Sequence, residues 1–295
     1  MSISMELVKQ LREETGAGIS DCKNALIESN GDIEKARKIL LAKGSAKAAK
    51  KVDRVTKEGV IAVQNNGKIA VILELACETD FVARNQKFIE LSKNIASSIL
   101  EKFSASETPS IEELLKTEYQ DSKDLQTFLN ENISIFGENI KLTRFEKFTT
   151  QSENQYIFDY LHFNNRVGVL ALVEFEKPIS ENEQIKREFG TKTVFQIASM
   201  KPIYIDLNSI PKEEMEEQKK IAFQQALSEG KPEHIAQKIA EGKAAKIFEE
   251  SVLLEQQFYD DSLKLPKFKD YLKHISQTIK ENITIKKMVR FEISK

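Results

Sequence analysis

The chain has 295 residues, enough for one large domain or two to three small ones, each with a hydrophobic core. Lys plus Arg (44) nearly balances Asp plus Glu (46), so the formal net charge is −2 and the basic excess of a dedicated nucleic-acid binder is missing. Apolar residues make up 40% and charged residues 31%, an ordinary globular mix, and 11 Gly with 6 Pro exclude collagen-like or long disordered stretches. The first 45 residues read as three short helices. Leu7, Val8 and Leu11 fall at helical spacing until Thr15-Gly-Ala-Gly breaks the pattern. Ser20 is placed to N-cap a second helix carrying Cys22, Ala25 and Leu26. Asn30-Gly31 stops that helix. Asp32 then caps a third, with Ile33, Ala36, Ile39 and Leu40 on one face and Gly44 in the terminating C′ position. Residues 1–45 therefore form a small bundle suited to presenting a face to a protein partner.

Lys43 to Lys57 is Ala-rich and basic, and residues 46–56 within it read as a solvated helical linker; a phosphate-contacting arm is the alternative. From Gly59 the period changes to that of strands. Val60–Val63, Asn65-Asn66-Gly67 and Ile69–Cys77 make a hairpin, because Asn-Gly supplies the positive φ of a tight turn. Ile69, Val71, Leu73, Leu75 and Cys77 alternate, which predicts one buried face. A helix is expected from Phe81 to Lys102, with Phe88, Leu91, Ile95 and Ile99 on its core stripe. The same order returns later. Tyr156–Phe163, Asn164-Asn165 and Val167–Phe175 form a second hairpin, followed by a helix through Ile185, Phe189, Val194 and Ala198. Glu138-Asn-Ile before Arg144-Phe-Glu is matched by Glu281-Asn-Ile before Arg290-Phe-Glu. The fold class is α+β, with two pseudo-repeated lobes at 57–150 and 151–295. The second lobe carries an insertion at about 211–265. A charged helix from Pro211 to Ser228, Gly230-Lys-Pro232, and a further helix towards Phe248 predict an antiparallel helical hairpin, equally readable as a docking device or a solvated packing element.

Chemical signatures are sparse. There is no phosphate-binding loop, no Gly-x-Gly-x-x-Gly and no Gly-x-Ser-x-Gly, so no nucleotide site or nucleophile is expected. Glu74, Glu78 and Asp80 cluster near the end of the first hairpin but read as surface carboxylates, and His162, His234 and His274 have no nucleophile beside them. Three His and two Cys, widely scattered, give no metal-ligand spacing, so neither a metal nor a cofactor is expected. Glu74 interrupts Ile69–Cys77 and Glu174 interrupts Val167–Phe175, so no membrane span is expected. Two cysteines and an N-terminus without a signal core point to the cytoplasm.

The run from Leu7 to Leu26, with Leu11-Arg-Glu-Glu-Thr-Gly-Ala-Gly-Ile-Ser-Asp-Cys-Lys23 at its centre, and Asn30-Gly-Asp-Ile-Glu34 resemble the elongation factor Ts family. So do Glu78-Thr-Asp-Phe-Val-Ala-Arg-Asn85, Gly137-Glu-Asn-Ile140, Tyr160 to Val169, and Leu253-Leu-Glu-Gln-Gln-Phe258, all in order along nearly the whole chain. The resemblance implies a nucleotide-exchange factor, not an enzyme with a catalytic site of its own. Its partner would be the GTPase elongation factor Tu, GDP-bound or nucleotide-free, with no direct contact to nucleic acid or membrane and with a homodimer or two-to-two complex left open. It implies a three-helix module similar to ubiquitin-associated domains. It also implies that Thr79, Asp80, Phe81 and Val82 form a wedge that dislocates Mg²⁺ in the GTPase, Phe81 inserting and Asp80 fixing the loop. Periodicity alone reads Phe81 differently, seven residues before Phe88 and on the core stripe, with Thr79 a helix cap. Partner contacts carried over by the resemblance are Leu11, Arg12, Ile19, Ser20, Lys23, His162, Phe258 and Tyr259. Leu11 fits the bundle core equally well, and an aromatic pair such as Phe258-Tyr259 is commonly core. Asn164-Asn165 stand where relatives have glycines, and Asn tolerates the left-handed backbone such a turn needs. The competing class is a non-catalytic scaffold or chaperone, which would bind without accelerating nucleotide release.

Overall fold

The computed structural model describes residues 3–104, 107–120 and 123–293. The outermost residues of the first and last expected units, 1–2 and 294–295, lie outside the described residues. Helix α1 (Met5–Thr15) opens on Ser4, whose hydroxyl accepts from the Leu7 N–H, and closes on Gly16 at φ +66°. Helix α2 (Ile19–Glu28) begins after Gly18, not at Ser20: Gly18 supplies the extended cap backbone, and Ser20 lies inside the first turn. Asp32 does cap α3 (Ile33–Ala49), accepting from the Lys35 N–H at 3.0 Å. Gly44 does not end it. A Cβ there would lie 3.2 Å from Ser134 Oγ, so the glycine allows close packing against a later helix and α3 continues to Ala49. The expected linker at 46–56 is therefore helical only in its first residues, followed by turns through Arg54.

Strands β1 (Glu58–Asn65) and β2 (Ile69–Cys77) pair antiparallel through a turn in which Gly67 takes φ +89° and Asn66 Oδ1 accepts from the Lys68 and Ile69 N–H groups. The helix expected over 81–102 is two helices, α4 (Asp80–Ala83) and α5 (Gln86–Lys102). Asn85 causes the break by capping α5, its side chain accepting from the Lys87 N–H at 3.0 Å. Helix α6 (Ile111–Lys116), the short pair β3 (Glu118–Gln120) and β4 (Lys123–Asp124), and helix α7 (Leu125–Phe136) fill a stretch that periodicity left unread. Strand β5 (Lys141–Thr149) then pairs with β2, giving the order β1-β2-β5.

The second lobe repeats the plan. Strands β6 (Gln155–Leu161) and β7 (Val167–Phe175) are followed by α8 (Glu183–Met200). The inserted hairpin α9 (Lys212–Ser228) and α10 (Glu233–Phe248) comes next, then α11 (Phe268–Ile279) and β8 (Ile283–Glu292), in sheet order β6-β7-β8. Thr143 and Lys286 are the extra residues of a bulge in each closing strand, each equally far beyond the matched Glu-Asn-Ile. By that register Phe148 corresponds to Phe291, and both are buried between the sheets. Phe145, by contrast, packs on the helix side of its sheet. The expected match of Arg144-Phe-Glu with Arg290-Phe-Glu is thus a coincidence of letters, since equivalent residues must share a face.

Each sheet has helices on one side and the other sheet on its second side. Val71, Leu73, Leu75 and Cys77 face α5 and α7, while Ala70 and Ile72 meet Leu170, Leu172 and Phe291 of the second lobe. Strand β2 is consequently buried on both faces, where alternation predicted one. The helical hairpin buries Ala222 and Ala226 with Ala236, Ala240 and Ala244, and Ile210, Phe248 and Val252 join it to the second lobe. Beyond Phe248 the chain re-enters the lobe core at Leu253 and Phe258, so the latter part of the expected insertion is core.

Candidate functional site

Where β2 ends, the chain turns sharply into α4. Thr79 caps that single helical turn, its hydroxyl accepting from the Val82 N–H at 3.5 Å. Ala83 is buried and Val82 packs partly against the lobe core, so these two residues anchor the turn from inside. Asp80 is half-exposed and pairs with Arg84 at 3.2 Å. Phe81 points outward with 84% of its surface exposed. The break at Asn85 takes Phe81 off the stripe that buries Phe88, so the core placement suggested by periodicity does not occur.

A pair of carboxylates ties this turn to the start of β5. Glu138 Oε2 accepts from the Glu78 and Thr79 N–H groups at 3.0 and 2.9 Å, and its Oε1 accepts from Thr79 Oγ1 at 2.5 Å. Glu78 Oε1 reaches back to accept from the Asn139 N–H at 2.7 Å. Beneath the turn the Cys77 thiol donates to the Thr79 carbonyl at 3.3 Å; burial, then the Glu138 and Glu58 carboxylates, push its pKa up to about 12. Sequence reasoning passed over Glu138, although Glu138-Asn139 and its echo Glu281-Asn282 were visible as a repeated pair.

The other expected contact residues lie on separate elements. On α1 and α2, Arg12, Ile19, Ser20 and Lys23 are all exposed. Leu11 is not: it is fully buried in the bundle core with Cys22 and Leu26, because it faces α2 and α3, and it offers no surface. His162, half-buried at the end of β6, holds its Nδ1 2.5 Å from the Tyr160 hydroxyl. Asn165 carries φ +56°, so the turn without glycines adopts the left-handed geometry. Phe258 is 1% exposed and stacks on Tyr271 at 4.4 Å, which corrects its placement as a surface contact; Tyr259 stays half-exposed. A second exposed aromatic was not singled out in the sequence. Phe163, at the tip of the second hairpin, is 88% exposed and lies against the His162 ring at 4.5 Å. A lone aromatic between His and Asn gives no periodic signal.

Two clefts of about 540 and 530 Å³ lie between the N-terminal bundle and α7 and beside the turns after α3, and neither is lined by residues 79–82. Among the described residues no group of three or more His, Cys, Asp or Glu is placed to hold a metal ion. No helix among them is long and apolar enough to cross a membrane.

A family profile described as Elongation factor TS matches residues 78–295, beginning at the carboxylate that opens the turn. The chain is 44% identical over 301 residues to the elongation factor Ts of Aquifex aeolicus (strain VF5), covering 99% of this chain and 98% of that protein. It is 41% identical over 293 residues to the elongation factor Ts of Hydrogenobaculum sp. (strain Y04AAS1), covering 99% of each. The helical module, the duplicated antiparallel lobes and these matches define a translation elongation factor of the exchange-factor class. Within that class, the chain belongs to the elongation factor Ts family.

Proposed function

We propose that the chain is a guanine nucleotide exchange factor that binds elongation factor Tu·GDP and promotes GDP release by displacing the elements that hold Mg²⁺ in the GTPase. The observation that carries this reading is Phe81, a large apolar side chain fully displayed on a turn whose backbone is fixed from behind. Exposing an aromatic ring to water is unfavourable unless a partner covers it, and rigid aromatics are the side chains that dominate interface energy. Mg²⁺ demands near-ideal octahedral oxygen geometry, so a small shift of one protein element around it weakens the nucleotide strongly. No covalent step is needed. By linkage, a factor that weakens GDP binding is itself weakened by GDP, so incoming nucleotide expels it again.

In this reading Thr79 and Val82 hold the turn, Phe81 is the wedge and Asp80 fixes the loop. Arg12, Ile19, Ser20 and Lys23 make a second contact through the N-terminal bundle, and His162 and Tyr259 a third. Stopped-flow release of fluorescent GDP from elongation factor Tu tests it. Wild-type protein accelerates release, and Phe81→Ala lowers the maximal rate by about thirtyfold or more, the loss expected for a hot-spot aromatic. Acceleration kept in full by a folded Phe81→Ala would place the wedge elsewhere. Binding without any acceleration would make the chain a scaffold.

A further inference from the structure

We infer that Glu138 is a positioning residue for Phe81, the carboxylate that sets the direction in which the turn presents its ring. The inference rests on the exchange reading and extends it from the residues displayed to the one that holds them. Glu138 is half-buried just beyond α7, sixty residues along the chain from Glu78, and three donors of the turn converge on its two oxygens. Bonds to an ionised acceptor are the strong, short ones, and a fixed acceptor orients the backbone that donates to it. The Thr79 hydroxyl donates to Glu138 while accepting from the Val82 N–H, so the carboxylate is linked to the first turn of α4 through one side chain. The Thr79 carbonyl is also engaged, by the Cys77 thiol and by the Ala83 N–H at 3.2 Å. Two residues further on, Phe81 has little freedom of backbone direction left.

The second lobe supplies an internal control. There Glu281 accepts from the Lys177 N–H at 3.2 Å, and Glu176 accepts from the Asn282 N–H at 3.1 Å, which is the same reciprocal arrangement. That copy is completed by Lys186, whose ammonium lies 2.7 Å from Glu281 with both side chains fully buried. Lys186 also donates to the Lys177 and Pro178 carbonyls, and the segment leading into α8 displays no exposed aromatic ring. A carboxylate with a buried cation is enough to join strand ends. In the first lobe the Thr79 hydroxyl is engaged instead, and the bonding runs into the cap of the short helix that carries Phe81.

The test separates the maximal rate of GDP release at saturating factor from the concentration giving half that rate. Glu138→Ala is expected to lower the maximal rate about tenfold while leaving the half-saturating concentration within about threefold of wild type, because the other contacts remain. Glu138→Gln keeps the shape and one carbonyl oxygen for both N–H groups, and its amide can donate to Thr79 Oγ1, so it recovers most of the rate. The double variant Glu138→Ala/Phe81→Ala is expected to be no slower than Phe81→Ala alone, since Glu138 acts through that ring. Losses that multiply would instead assign Glu138 a purely structural role and overturn the inference, as would a wild-type maximal rate in Glu138→Ala. If Glu138→Ala does not fold, Thr79→Val breaks the same link: a severalfold lower maximal rate supports the inference and an unchanged rate overturns it. A wild-type protein that fails to accelerate release at all removes the exchange reading itself, and the inference with it.

Discussion

At the scale of single residues, the turn after β2 is a contrast between Cys77, held in the core, and Phe81, held out of it. The Cys77 thiol is buried and donates to the Thr79 carbonyl, with two carboxylates near enough to oppose its ionisation. Its pKa is raised from the ordinary 9.0 to about 12, so the native state keeps the proton where the unfolded chain loses it. The stability this contributes is whole below pH 9 and is lost between pH 9 and about 12. The midpoint of urea unfolding should therefore fall through that window, and Cys77→Ser should flatten the fall. A thiol reagent at pH 8 should leave Cys77 unmodified in the native protein and modify it in urea, because only the thiolate reacts. Equal rates in both states would show that the turn opens readily. Leu11 and Phe258 teach the converse lesson, since the family resemblance offered both as partner contacts yet both face their own cores.

At the scale of elements, the break between α4 and α5 decides what the turn can do. A continuous helix from Phe81 would keep that ring on the stripe of Phe88 and hide it. Asn85 prevents this with its extended backbone and by accepting from the Lys87 N–H, which starts α5 afresh. Asn85→Ala should cost about 1 kcal/mol of stability, the usual loss for an N-cap, measured by urea unfolding. It should also lower the maximal exchange rate more than the half-saturating concentration changes. A stability loss with an untouched rate would show that the break survives without its cap. The same reasoning explains Gly44, where a residue that commonly ends helices serves instead to let α3 approach Ser134. The spacing of a glycine relative to apolar residues cannot distinguish the two uses, because the neighbour that matters is ninety residues away.

For the whole molecule, the governing feature is that the two sheets pack face to face, so the central strands β2 and β7 are covered on both faces. Ile61, Ile72 and Phe148 of the first lobe meet Leu170, Leu172 and Phe291 of the second. Around the rim, Arg166 pairs with Glu58 at 2.5 Å, Lys287 with Glu146 at 2.9 Å, and the Arg144 guanidinium lies 4.3 Å from the centre of the Phe291 ring. Gly168 lies against the first lobe's sheet: a Cβ there would stand 2.5 Å from Ile61 Cγ2 and 3.0 Å from Ile72 Cδ1. An alanine in a strand is ordinarily more favourable than glycine, but here the sign should reverse. Gly168→Ala should cost about 1–3 kcal/mol, the price of overpacking a closed interface. A variant at least as stable as wild type in urea would mean that the sheets separate easily. This packing also keeps the Phe81 turn of the first lobe and the tip bearing His162 of the second on one framework, as the proposed reading requires.

The local elements were legible in the sequence because their causes are local. Asn-Gly turns, caps such as Asp32 and Pro232, and a period changing from 3.6 to 2 depend on residues within a few positions of one another. The α+β class, both hairpins and the duplication were readable on that basis; Thr79–Val82 stood out only through the family resemblance, since local periodicity places Phe81 on the core stripe. Three matters were settled only by the tertiary structure. The partner face of β2, the close approach at Gly44, and the carboxylate of Glu138 behind the Phe81 turn all depend on groups brought together from distant parts of the chain. Pattern along a strand or helix says which residues prefer burial; which surface buries them, and which side chain is left to face outward, is decided by what packs against them.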